Sequence, residues 1–211
     1  LSRLIAERLA PGADKKRIDE RIWDLFGEEW AIVFTDLSGF SRNVETFGII
    51  HFLQTIFESE RLLIPIVDDY DGILLKIEGD SMMIIFRNPG KALKAVAGMQ
   101  AACHRYNIDR TEEERILLCA GIGYGRVLRI GDSDVFGKEV NAASKLGEDT
   151  AKAGEILVTA SVVEAVSADK DFHFTGMDGS SSVTGKFYRF NYQEQTAAPP
   201  LDGRSQIARS G

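Results

Sequence analysis

The stretch Gly72-Ile-Leu-Leu-Lys-Ile-Glu-Gly-Asp-Ser-Met-Met-Ile-Ile-Phe86 decides the architecture. Two apolar runs, Gly72 to Ile77 and Ser81 to Phe86, flank the tight Glu78-Gly79-Asp80 turn and read as a β-hairpin. Helical patterns lie on both sides. Upstream, Asn43 to Asp69 carries Phe47, Ile50, Leu53, Ile56 and Phe57 on one face. Downstream, Asn88-Pro89-Gly90 opens a helix that runs to about Asn107. A hairpin between two helices argues for an α+β fold with a largely antiparallel sheet, not a doubly wound parallel one.

Further out, Trp30 to Thr35 is a short β-rich run that Asp36 ends, and Ile116 to Ile130 is a strand region with glycines at 121, 123 and 125. Lys138 to Ala151 reads as a helix, Gly154 to Thr159 as a strand and Ser161 to Val166 as a short helix. Phe172 to Phe174 and Phe187 to Tyr192 are late strands. The core order fits the ferredoxin-like βαββαβ plan, with helices on the sheet and extra C-terminal strands. Residues 1–28 form a helical lead-in, with Ile18, Ile22, Trp23 and Phe26 at helical spacing. The domain proper is expected over 29–193, and 194–211 reads as a flexible tail rich in Ala, Pro, Gly and Ser.

The 211 residues are 44% hydrophobic and 27% charged, enough apolar surface for one packed domain. The net charge of −7 argues against a nucleic-acid partner and requires a local cation or metal wherever an anionic ligand binds. Cys103 and Cys119 lie in apolar segments without metal or redox spacing and read as reduced core thiols, which fits a cytoplasmic location. No apolar run reaches membrane-spanning length, and the N-terminal stretch lacks the features of a signal peptide. His51, His104 and His173 show no ligand spacing.

Asp36 stands where the first strand stops, and Asp80 at the tip of the hairpin. In the ferredoxin-like order those strands are neighbours, so both carboxylates are expected at one sheet edge. Taken singly, each is better explained as a cap or turn aspartate. As a pair of hard oxygen donors they suit Mg²⁺ or Mn²⁺. Ser38-Gly39-Phe40-Ser41 follows the first aspartate and leads into a helix. It reads equally as an ordinary helix entry or as a loop whose backbone N–H groups hold phosphate.

Three motifs in order, FTDLSGFS around Asp36, LKIEGDSM around Asp80 and DVFGKEVNAASKLGE from Asp134, resemble the class III nucleotidyl cyclase catalytic domain, adenylyl cyclase type, from about Trp30 to Thr159 and on to Tyr192. The resemblance implies that Asp36, Asp80 and the Leu37 carbonyl hold two divalent metals per active site. These would serve attack of a ribose 3′-hydroxyl on the α-phosphate of a nucleoside triphosphate. Ser38, Gly39, Phe40 and Ser41 match the phosphate-holding loop. Lys76 and Asp134 match the two base-reading positions. Lysine only donates and ionised aspartate only accepts, so the pair suits adenine, with its N1 acceptor and N6 donor. Guanylyl cyclases typically carry Glu and a small residue such as Cys there. Asn141 matches the ribose-orienting asparagine.

The sequence departs from the family at three places. Lys145 stands where active members carry Arg, so a point charge replaces a planar fork. Thr184 replaces the first lysine of a Lys-Gly-Lys element and leaves Lys186 as the only triphosphate candidate there. The segment from Gly121 to Asp134 is shorter than in many members.

The resemblance implies a head-to-tail homodimer with shared sites that converts ATP to 3′,5′-cyclic AMP and pyrophosphate. Two alternatives stay open: a cyclase-like nucleotide-binding or signal-relay dimer with little turnover, and, behind it, a guanylyl cyclase.

Overall fold

The computed structural model describes residues 1–39, 47–131 and 134–194. Phe40, Ser41, the start of the helix expected from Asn43 and the tail beyond 194 lie outside them. Two helices open the chain, α1 (Ser2–Leu9) and α2 (Lys15–Phe26), followed by β1 (Gly27–Leu37) and α3 (Ile49–Asp69). The hairpin β2 (Ile73–Glu78) and β3 (Ser81–Phe86) leads to α4 (Pro89–Asn107), β4 (Leu118–Ile130) and β5 (Asp134–Phe136). Then come α5 (Lys138–Ser144), β6 (Ile156–Thr159), α6 (Ala160–Ala165), β7 (Phe174–Ser181) and β8 (Gly185–Phe190).

The strands form one sheet in the order β2-β3-β1-β4-β6-β8-β7, with β5 on the outer part of β4. Every pairing is antiparallel except β4 with β6. The first four strands of that order are the expected ferredoxin-like arrangement. β1 lies at its centre, and Trp30 through Thr35 are buried because both of its faces are covered. Ala31, Val33 and Leu37 face the main core with Leu63 and Val67 of α3 and Leu93 and Val96 of α4. Trp30, Ile32 and Phe34 face a second core with Met83, Ile85, Val135 of β5 and Val140 of α5. By strand alternation, Asp36 belongs to this second face.

Local chemistry sets the boundaries. The Asn88 side chain accepts from Lys91 N–H at 3.1 Å, and Pro89 occupies the first turn, which fixes the start of α4. Gly79 takes φ +62° in the hairpin turn, a conformation unfavourable for any residue with a Cβ. The glycines of β4 have a packing reason. A Cβ on Gly121 would lie 2.2 Å from the Ala143 carbonyl oxygen and 2.3 Å from the Gly147 nitrogen, and one on Gly147 would lie 2.6 Å from the Phe34 carbonyl oxygen. α5 and the turn after it therefore rest on the sheet backbone itself.

Four elements differ from the sequence reading. The helix expected over Lys138 to Ala151 is α-helical only to Ser144 and continues as a π-helical turn over Lys145–Thr150. The strand expected at Phe172 to Phe174 is instead the edge strand Phe174–Ser181, whose polar composition hid it. β5 falls between Ile130 and Lys138, where the sequence reading places no element. On α3, Ile50, Leu53 and Phe57 are exposed, and Phe52, Leu63 and Val67 make the core contact. Periodicity marks an apolar face but not which face meets the sheet.

Arg8 pairs with Asp19 between α1 and α2, and Leu4, Ile18 and Ile22 pack together with Leu128 of β4. α2 runs into β1 without a loop. No helix among the described residues is long and apolar enough to cross a membrane. Cys103 and Cys119 are buried free thiols, pushed up to about 12 and about 11 chiefly by burial, so they remain protonated.

Candidate active site

One end of the sheet, where β1 meets the hairpin turn, gathers the acidic pair, with Asp36 on the second face. Thr35 pairs with Met82, so the ladder's next steps set Asp36 beside Ser81 and Leu37 beside Asp80. Ser81 Oγ donates to Asp36 Oδ1 at 3.2 Å, and the Leu37 backbone N–H donates to the Asp80 carboxylate. Both carboxylates are half-buried. Asp36 is raised to about 6, first by burial and then by the charge of Asp80. Asp80 is also raised, chiefly by burial. Glu148, on the π-helical turn, adds negative potential at both.

Two half-buried acids at a sheet edge, both raised by burial and Asp36 also by the charge of Asp80, form a site that a divalent cation relieves. The donors are hard oxygens, which fits Mg²⁺ or Mn²⁺ and not a thiolate-seeking metal. Among the described residues no group of three or more His, Cys, Asp or Glu is placed to hold a metal.

One row along the same face, Lys76 of β2 pairs with Met83, which pairs with Phe34. Strand spacing puts the Lys76 and Asp36 backbones about 12 Å apart. Lys76 Nζ lies 3.5 Å from Asp134 Oδ2 and 3.1 Å from Glu78 Oε1. β5 brings Asp134 there by folding back along β4 and seating Val135 in the second core. Asp134 Oδ1 accepts from the Val135 N–H at 2.9 Å, so Oδ2 is the oxygen turned to Lys76. The residues expected to read a base thus meet within one chain.

Asn141 and Lys145 are exposed on α5 and the turn after it, one helical step apart. Lys145 Nζ is bound by Asp149 Oδ2 at 2.6 Å. Ser38 N–H donates to the Leu117 carbonyl at 2.8 Å, and Gly39 is exposed, so the first half of the loop lies directly after the acidic pair. Lys186 is not brought to the site within this chain. It is exposed at the start of β8, and it alternates with Phe187, which packs with Leu146 and Leu157 on the second face. Sequence reasoning missed Glu78, Ser81, Glu148 and Asp149. Glu78 carried a signal, since a strand sets residues two apart on one face.

The ferredoxin-like sheet, with an acidic pair where β1 meets the hairpin, fits the class III nucleotidyl cyclase domain that the sequence resembles. Residues 27–196 match the family model of the adenylate and guanylate cyclase catalytic domain, and the chain belongs to that family.

The chain is 28% identical over 144 residues to a Rhizobium meliloti protein named "Putative adenylate cyclase 3", a match covering 68% of this chain. The match spans only 24% of that relative's length. Among solved structures, the adenylyl cyclase CyaB from P. aeruginosa has a TM-score of 0.63 at 22% identity, covering 78% of this chain and 94% of that one. The guanylate cyclase domain of RhGC from Catenaria anguillulae, in complex with GTP, has a TM-score of 0.66 at 17% identity, covering 77% and 96%. Both likenesses are of fold, and the fold is common to adenylyl and guanylyl enzymes.

Proposed function

We propose that the domain is an adenylyl cyclase, converting ATP to 3′,5′-cyclic AMP and pyrophosphate in a head-to-tail homodimer. The observation that carries this reading is the Lys76–Asp134 pair, 3.5 Å apart. A donor-only group beside an acceptor-only group complements adenine N1 and N6 and mismatches guanine, which presents a donor at N1 and an acceptor at O6.

In the reaction, the ribose 3′-hydroxyl loses its proton to solvent, a bond forms between the 3′-oxygen and the α-phosphorus, and the bond from the α-phosphorus to the bridging oxygen breaks, with pyrophosphate leaving. Asp36 and Asp80, with the Leu37 carbonyl, would hold divalent cations. Bound there, these supply Lewis acidity to the 3′-hydroxyl and charge neutralisation to the triphosphate. Asp36 and Asp80 of one chain face Lys76, Asp134, Asn141 and Lys145 of the other. Asn141 orients the ribose. Lys145, released from Asp149, meets the charge developing at the α-phosphate. In the loop Ser38 to Ser41, the Ser38 N–H is already donated to the Leu117 carbonyl, so the N–H groups that follow it would cradle phosphate, and Lys186 would reach the triphosphate across the dimer.

The test is incubation of the purified protein with ATP or GTP and Mn²⁺, with cyclic AMP and cyclic GMP quantified and Asp80→Ala as the blank. Cyclic AMP from ATP alone, absent with Asp80→Ala, is the expected result. Cyclic GMP as the main product overturns the base assignment. A second reading, a nucleotide-binding dimer of low turnover, is favoured by the Lys145–Asp149 pair, which engages the cation proposed to help the α-phosphate. Nucleotide binding without either product, in a sample shown to be dimeric, would establish it.

A further inference from the structure

Resting on the adenine reading above, we infer that Glu78 is a positioning residue for base selection: it draws Lys76 off Asp134 and so keeps the acceptor that adenine needs available. Asp134 has one carboxylate oxygen bound by the Val135 N–H at 2.9 Å. Its other oxygen, Oδ2, is the one left for the adenine N6 amine, and it is also the one that faces Lys76. An ammonium seated squarely on Oδ2 would aim its donor and an Oδ2 lone pair at each other and not at the base; Nζ still has two donors and the carboxylate two acceptor sites, so what is lost is direction, not capacity.

The geometry avoids this. Lys76 Nζ sits closer to Glu78 Oε1, at 3.1 Å, than to Asp134 Oδ2, at 3.5 Å. The second distance is already long for a charge-assisted hydrogen bond. Glu78 follows Lys76 by two residues on β2, so both side chains leave the same face of the strand, and Glu78 is paired with Ser81 at the hairpin end. An ammonium has three donors. Held by Glu78 with one of them, it keeps others for adenine N1. The Glu78 side chain is 71% exposed and that of Lys76 32%, so the pair is a solvent-side tether and not a packed core contact. Its loss leaves the fold intact.

Without Glu78, Asp134 is the remaining ion-pair partner of Lys76 among the described residues, and the incoming base must first part the two. The cost falls on binding, not on the chemical step, because neither group touches the reacting phosphorus. It also falls on selectivity, because a closed Lys76–Asp134 pair presents the adenine edge less fully.

The experiment compares Glu78→Leu, Glu78→Gln and Lys76→Ala with the unmodified chain. Calorimetry with non-hydrolysable ATP and GTP analogues in Mn²⁺ gives binding, and steady-state kinetics give KM and kcat. Glu78→Leu is expected to weaken the ATP analogue and raise KM for ATP about two- to fivefold, the range an exposed ion pair supports, and to lower ATP-over-GTP preference by a similar factor. Its kcat changes less than twofold. Glu78→Gln restores most of the affinity, since its amide oxygen still accepts from Nζ.

Unchanged ATP-analogue affinity in Glu78→Leu, or equal loss in the Leu and Gln variants, overturns the role of Glu78. If Lys76→Ala leaves the ATP-over-GTP preference unchanged, the base-reading assignment itself has failed, and the role of Glu78 falls with it. If Lys76→Ala abolishes the preference while Glu78→Leu does not alter it, Glu78 alone is overturned.

Discussion

Lys145 and Asp149 are joined across one π-helical turn, Nζ to Oδ2 at 2.6 Å. Their side chains are 47% and 57% exposed, which makes the pair a weak tether. An exposed pair at this spacing is worth about 0.3–0.5 kcal/mol, so Asp149→Ala is expected to raise the cyclisation rate only about twofold. Lys145→Arg should do more, because a guanidinium presents two parallel donors to a phosphate where an ammonium presents one point charge. An increase of about tenfold or more in kcat, with KM for ATP little changed, is expected from single-turnover and steady-state assays. An unchanged kcat in Lys145→Arg would remove this residue from the chemical step.

A site shared between two chains, as proposed above, has a distinctive consequence for mixed chains. Asp36→Ala chains and Asn141→Ala chains should each be inactive alone. An equimolar mixture allowed to exchange subunits should recover about a quarter of the unmodified activity, since half the dimers are mixed and each holds one intact site of two. Mass spectrometry under native conditions verifies that the mixed dimer is present. No recovery in its presence rules out a site divided between chains.

The acidic pair gives a pH dependence with a definite sign. Asp36 is raised from 3.8 to about 6, so the folded protein holds more protons than the unfolded chain between those values. The contribution of this group to stability in cation-free protein is therefore largest below about pH 4 and is lost as pH rises to about 6. Asp36→Asn should flatten this part of the curve of melting temperature against pH. Mn²⁺ affinity, measured by calorimetry, should fall as pH drops below about 6, because protons compete for the same oxygens. A pH-independent Mn²⁺ affinity between pH 5 and 7 contradicts the assignment.

Gly147→Ala should be among the most damaging single changes. Its Cβ would meet the Phe34 carbonyl oxygen at 2.6 Å and the Gly121 nitrogen at 2.8 Å, both backbone atoms that cannot rotate away. A loss of about 3 kcal/mol or more is expected in urea unfolding, at or above the upper end of ordinary overpacking. Gly131→Ala, with nothing within 4 Å of the added Cβ, separates crowding from the backbone cost of a positive φ.

The hairpin, β1, α4 and the acidic pair were legible because each has a local cause: a turn glycine, an apolar run, an asparagine cap, a carboxylate ending a strand. The π-helical turn was not, since Lys145 to Thr150 carries the same short-range pattern as an α-helix and only the approach to the sheet at Gly147 distinguishes it. The exposed stripe Ile50, Leu53 and Phe57 was misread because a second apolar face on α3 competes with the one that packs. The meeting of Lys76, Glu78 and Asp134 depends on β5 folding back along β4, a tertiary event between segments more than 50 residues apart that no local pattern encodes.

The backbone-to-backbone seat of α5 bears on how this domain tolerates change. The height of Asn141 and Lys145 above the sheet is set by glycines meeting carbonyls, which act as a hard stop and are indifferent to the shape of neighbouring side chains. Valines and leucines of the two cores can exchange for one another over many generations without shifting that helix. Drift in the interior is thus insulated from the rate, and variation in rate or nucleotide preference between related chains should trace to the exposed partners of the site, Glu78 and Asp149 among them.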